Sequence, residues 1–170
     1  QNLTGAQSYS SPRGKEEVVC ALTETDLKFG FREVNEIYAI IDAVGHSDFS
    51  RLKGSLSRET SAEGLKEAIQ KILLTDSDTI RSIAETILSS DMSATVINEK
   101  ETKYFTSLVE TYPDDPGLLL FLLMNFITLE PGDFLYVSPG VTHAYLRGNV
   151  VEITSNSDNV IRCGLTPKHI

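Results

Sequence analysis

Three runs of apolar residues at three- and four-residue intervals occupy the middle of the sequence: Leu65, Ala68, Ile69, Ile72 and Leu73; Ile80, Ile83, Ala84, Ile87 and Leu88; Tyr104, Phe105, Leu108, Val109 and Tyr112. Such spacing gathers each set on one face of an α-helix, whereas the faces of a strand alternate with period two. Ser61 precedes the first run and Asp76 the second, and both residue types accept hydrogen bonds from the free amides of a first helical turn. Mutual burial is the ordinary use of these stripes, so they predict packed helices and no chemistry. Pro113-Asp114-Asp115-Pro116-Gly117 then breaks the chain, and Leu118 to Phe126, apolar on every side, predicts a buried helix.

On either side the pattern changes. Gln1 to Pro12 is rich in Ser, Gly and Gln and reads as a loop, whereas Val18 to Leu22 is a short apolar run suited to a buried strand. Ile37, Ile40, Ile41 and Val44 predict a helix after Glu33 that Gly45 stops. Beyond Leu129, Pro131-Gly132 and Pro139-Gly140 bracket a strand at Phe134 to Val137. Arg147-Gly148-Asn149 separates the His143–Tyr145 stretch from Val150 to Ile153 and predicts an antiparallel hairpin. The expected architecture is α+β: barrel or sandwich strands in 1–45 and 129–170, with an all-helical insertion at 46–128.

The formal net charge of -9, with no compensating basic run, opposes binding to nucleic acid or to an anionic membrane. Cys20 and Cys163 stand far apart without metal-ligand spacing, which suggests no disulfide framework and fits a reducing compartment, the cytoplasm by default. The longest apolar stretch, Leu118 to Met124, is too short to cross a bilayer, and the first residues lack the basic-then-apolar pattern of a secretion signal. The Asn2-Leu3-Thr4 triplet matches a glycosylation sequon of a kind that arises often by chance.

One histidine on a strand is structural more often than it is a ligand, because a metal needs three or four protein groups. The context of His143 changes that weighing. The string Thr142-His143-Ala144-Tyr145-Leu146-Arg147-Gly148, then Ser157-Asp158-Asn159-Val160-Ile161-Arg162-Cys163-Gly164-Leu165-Thr166-Pro167-Lys168, resembles type I mannose-6-phosphate isomerases. In that family HAYL-x-G is followed by SDN, a hydrophobic pair, Arg, one residue and GLTPK. Leu129 to Val137 resembles the family strand entering this motif, Lys15-Glu16-Glu17 its HKPE block, and Gly30-Phe31-Arg32 its Cys-Gly-Phe-Arg segment. The resemblance implies cupin-type jelly-roll β-barrel segments around the helical insertion, and one zinc ion per site.

Residue by residue, it implies that Glu17 and His143 are zinc ligands and that Arg162, Asp158 and Lys15 are catalytic. Arg162 would hold developing negative charge, and Asp158 would carry a proton or orient Arg162. Lys15, Tyr145, Arg162 and Lys168 would contact a small sugar phosphate as substrate. Without the resemblance, Arg162 reads as the partner in an ordinary ion pair, Tyr145 as barrel packing, and His46 and His169 as surface histidines. The family's other two ligands come from a Gln-x-His motif, which does not occur in this sequence, and are expected outside it. Gly14 stands where the family has His, and Glu16 where it has Pro. The chain stops at Lys168-His169-Ile170 where the family continues, so it is expected to be part of a longer isomerase acting on mannose 6-phosphate and fructose 6-phosphate. A diverged cupin relative, binding sugar phosphate or purely structural, is the alternative.

Overall fold

Glu36 turns its carboxylate back to accept from the Glu33 amide (3.1 Å), starting α1 (Val34–Val44), and Gly45, its amide on the Ile41 carbonyl (3.2 Å), ends it. The computed structural model describes residues 14–57, 61–89, 97–157 and 160–167. They fall into two units, Phe31–Met124 with Cys163–Ile170, and Gln1–Gly30 with Asn125–Arg162. Helix α1 therefore groups with the helices, not with the strands of 1–45 as expected.

In the helical unit α1 is followed by two short helices absent from the apolar pattern, α2 (Ser47–Ser50) and α3 (Lys53–Leu56), and then by α4 (Ser61–Leu73), α5 (Ser77–Ser89) and α6 (Glu99–Thr111). Asp76 starts α5 by accepting from the Thr79 amide (3.0 Å) and hydroxyl (2.8 Å), bonds that hold its carboxyl below the usual range. Asn98 and Glu101 cap α6 reciprocally, each side chain accepting from the other's amide (2.9 and 3.3 Å). His46 differs from expectation. Its Nδ1 accepts from the Asp48 amide (3.3 Å), so its Nε2 carries the proton toward Ser82 Oγ (3.2 Å), and the side chain is only 16% exposed. It is a cap of α2, not a surface histidine.

Ile37, Ile40, Ile41, Ile72, Ile80, Ile83 and Phe105 are buried as their spacing requires, each worth about 1.5–3 kcal/mol over exposure. Leu73 and Leu88 stay partly exposed at the edges of their stripes. The last helix, α7 (Gly117–Leu123), is shorter than the apolar run predicts, and the chain turns into a strand at Met124. Arg32 explains the stop: its amide donates to the Leu123 carbonyl (2.9 Å) and its Nε to the Leu122 carbonyl (3.1 Å), taking acceptors that another helical turn would use.

The other unit contains two three-stranded sheets, in the orders β4-β1-β6 and β3-β2-β5. The strands are β1 (Glu17–Ala21), β2 (Thr25–Phe31), β3 (Met124–Leu129), β4 (Phe134–Val137), β5 (His143–Arg147) and β6 (Val150–Thr154). β1 runs antiparallel to both neighbours, with Val19 opposite Leu135 and Glu152, and β2 runs antiparallel to β5. Ala21, Leu27 and Leu129 form a small core with Phe29, Ile127 and Leu135 against them. The predicted β5–β6 hairpin is not formed, because β5 and β6 lie in different sheets. Their connection instead packs on the β1–β2 turn: the Leu22 amide donates to the Asn149 carbonyl (2.8 Å) and the Asn149 amide to Thr23 Oγ1 (2.9 Å). Gly148, at φ 120°, sits so close that a Cβ would lie 2.3 Å from Thr25 Oγ1. Among the described residues no helix is long and apolar enough to cross a membrane.

Candidate metal centre

Strand β1 alternates, placing Glu17 and Val19 on the buried face and Val18 outward. Glu17 stands opposite Thr154 and Val19 opposite Glu152 on β6, so Glu17 and Glu152 are diagonal neighbours on one face. His143 begins β5, in register with Phe29 of β2. One ligand atom from each of Glu17, His143 and Glu152 lies within 4.8 Å of the others.

The hydrogen bonds define what these atoms can do. His143 Nδ1 lies 3.0 Å from the Val141 carbonyl, which can only accept, so Nδ1 carries a proton and, in the neutral ring, Nε2 offers its lone pair. Nε2 is 3.2 Å from Glu17 Oε2, yet that oxygen is buried without a hydrogen-bond partner. Two bare acceptors thus face each other, and a buried unpaired acceptor is costly unless a cation or proton lies between. Two ligands of one tetrahedral zinc, at bond lengths near 2 Å, are about 3.3 Å apart, so the pair fits. The Val141 carbonyl orients the ring as an outer-sphere partner of a metal-bound histidine does.

Lys15 Nζ lies 2.6 Å from Glu17 Oε1, the other oxygen of that carboxylate. Tyr145 packs edge-on to His143, ring centroids 5.7 Å apart, and its hydroxyl donates to Glu152 Oε1 (3.0 Å). Burial, first, and then the bond to Glu152 and the charges of Glu152 and Glu17 push the Tyr145 phenol well above the ordinary range. In a spectrophotometric titration Tyr145 should therefore keep its proton past pH 10, and Tyr145→Phe should remove one late-titrating phenol. Loss of a phenol that titrates normally would contradict this geometry.

Lys15, Glu17, Tyr145 and His143 are thus brought together. Arg162 is half-buried and makes no hydrogen bond or ion pair among the described residues. Asp158 and Lys168, together with His169, lie outside the described residues. Gly14 lies against Pro139, where a Cβ would come within 2.5 Å of the proline Cβ, so any side chain there must displace Pro139. Glu152 was not anticipated from the sequence. The available signal was a single carboxylate inside the apolar run Val150 to Ile153; Glu152 itself is exposed, on the face of β6 that it shares with Thr154, opposite Glu17.

No family model matches the chain. A probable mannose-6-phosphate isomerase of Caenorhabditis elegans is 31% identical over 180 residues, covering 99% of this chain and 42% of that protein. The mannose-6-phosphate isomerase of Escherichia coli is 34% identical over 166 residues, covering 96% and 41%. A solved mannose 6-phosphate isomerase with zinc bound superposes with a TM-score of 0.78 at 30% identity, covering 98% of this chain and 41% of that one. The chain spans about two fifths of the length of the relatives it matches. Along nearly all of its own length, in sequence and in fold, it is related to one part of the mannose-6-phosphate isomerases.

Proposed function

We propose that this chain is the metal-holding part of a zinc-dependent mannose-6-phosphate isomerase, interconverting mannose 6-phosphate and fructose 6-phosphate, and that its two sheets are part of a cupin jelly roll. The observation that carries the reading is the unpaired Glu17 Oε2 facing His143 Nε2 beside Glu152, in a chain related to a zinc-bound isomerase. Glu17 and His143 would hold the ion, with Glu152 at its side and further ligands, a Gln-x-His pair, outside this sequence. Bound zinc would supply Lewis acidity and a fixed anchor for a substrate oxygen.

The reaction moves a hydrogen between adjacent carbons through an enediol, so a base must take a proton beside the carbonyl while cationic donors hold the oxygen that gains charge. Arg162 suits the second task, since its guanidinium is permanently charged and its donors are not engaged by the described residues. Asp158 is assigned to proton transfer or to orienting Arg162. Lys15 holds the Glu17 carboxylate and offers its ammonium to substrate oxygens, with Lys168 assigned to the same substrate. Tyr145 fixes Glu152 and forms one wall. Zinc content and isomerisation measured together, on this chain and on any longer product of its gene, test the reading. Zinc with turnover that Arg162→Ala abolishes is expected. Zinc without turnover in any product would overturn the enzyme reading, and neither zinc nor turnover in any product would leave the diverged cupin relative, a sugar-phosphate-binding or structural module.

A further inference from the structure

The break Pro113-Asp114-Asp115-Pro116-Gly117 and the segment Gly164-Leu165, far apart in sequence, are tied together by one side chain. Asp115 Oδ1 accepts from the Gly117 amide (2.7 Å), at the first residue of α7, and Oδ2 accepts from the Leu165 amide (3.0 Å). The fit around this carboxylate is close. Gly164, at φ 125°, lies so near that a Cβ there would be 2.1 Å from Asp115 Oδ1, and a Cβ on Gly117 would be 2.7 Å from Leu165 Cγ. Leu165 itself is at φ 53°, the one non-glycine residue with positive φ among those described. A leucine held there is strained, and such a conformation persists only where the surroundings over-determine it.

A helix start needs only the first of the two bonds. The second fixes the backbone just beyond Arg162, which stands two residues before Gly164. We propose that Asp115 is a positioning residue: by clamping Gly164-Leu165 in a strained turn, it fixes where the chain delivers Arg162. The inference rests on the reading of Arg162 as a substrate-contacting group. Misplacing such a group by about 1 Å can cost about 100-fold in rate. Asp115 is too far along the chain from Arg162 to be suspected from sequence, and its carboxylate has no other described partner that would explain the second oxygen.

The test uses Asp115→Asn, which leaves one acceptor oxygen for two amides, and Gly164→Ala, whose Cβ would fall 2.1 Å from Asp115 Oδ1 and 2.9 Å from the Gly117 nitrogen and so displaces the clamp from its other side. In the full-length protein labelled with 15N-arginine, the Arg162 amide should be rigid in the wild type, with an order parameter of about 0.85. It should fall below about 0.6 in both variants, with unchanged zinc content. Unaltered order at Arg162 in both variants overturns the proposal, even if their unfolding midpoints drop, since a purely structural Asp115 would lower stability alone. In the active enzyme kcat should fall about 10- to 100-fold with KM little changed, and an undiminished kcat likewise overturns it. A wild type that binds zinc but does not isomerise would defeat the functional reading instead, leaving the amide measurement to decide the clamp.

Discussion

Glu17→Gln should weaken zinc binding by more than about 100-fold, since changes to outer-sphere partners alone typically cost about 10- to 100-fold and Glu17 supplies an oxygen aimed at the ion. His143→Ala should do the same, and Tyr145→Phe, which only releases Glu152, should fall within the outer-sphere range. Competition with a chromophoric chelator measures all three. Zinc-dependent stabilisation separates a ligand from an ordinary buried acid. Without metal, Glu17 is 5% exposed, with one oxygen unpartnered and the other on the Lys15 ammonium (2.6 Å), so Glu17→Gln relieves a desolvation cost but gives up that ion pair. The decisive difference is therefore the one that zinc makes to each protein. With zinc at 100 times its Kd, the wild type gains about 2.7 kcal/mol that the variant does not. Equal affinity in wild type and Glu17→Gln would remove Glu17 from the site.

How much of this was legible in the sequence follows from which residues obey a simple pattern. Helices α1, α4, α5 and α6 and strands β1 and β4 follow apolar periodicity and ordinary caps, and their spacing alone predicts them. Strand β2 does not, because Thr25, Asp26 and Lys28 look like loop residues and yet are each 1% exposed. They are tolerated through tertiary partners invisible from sequence: Thr128 Oγ1 donates to Asp26 (2.6 Å), and the Lys28 ammonium lies 5.8 Å from the Phe126 ring centre. The end of α7 was equally hidden, since Leu118 to Met124 is uniformly apolar and the stop comes from Arg32, distant in sequence. The β5–β6 turn has hairpin composition, but Gly148 serves a close approach to Thr25 rather than a tight reversal between paired strands. At the candidate site, Glu17 and His143 came from the family resemblance. Glu152 required the register of β1 with β6, a long-range fact that strand parity only hints at.

Arg32→Met should destabilise the helical unit by about 3–5 kcal/mol, the usual cost of removing one partner from a buried ion pair. Arg32 Nη2 lies 2.5 Å from Glu101 Oε1, with the side chains 11% and 3% exposed. The loss has two parts. One is the guanidinium lost to the Glu101 carboxylate at the start of α6, where Glu101 also accepts from the Asn98 amide. The other is the donor that Arg32 Nε gives the Leu122 carbonyl at the end of α7, so one guanidinium ties a helix start to a helix end. For a chain of this size each kcal/mol shifts the melting temperature by about 2–4 °C, and the variant should melt roughly 10 °C lower. Glu101→Gln keeps the shape and the cap but strands the guanidinium, and should lose a comparable amount. Arg32→Met combined with Glu101→Leu removes both charges and should recover the ion-pair part of the deficit, falling short by the α6 cap and by the donor lost to the Leu122 carbonyl, about 1 kcal/mol each. Additive losses in the double variant would mean that the two side chains do not depend on each other.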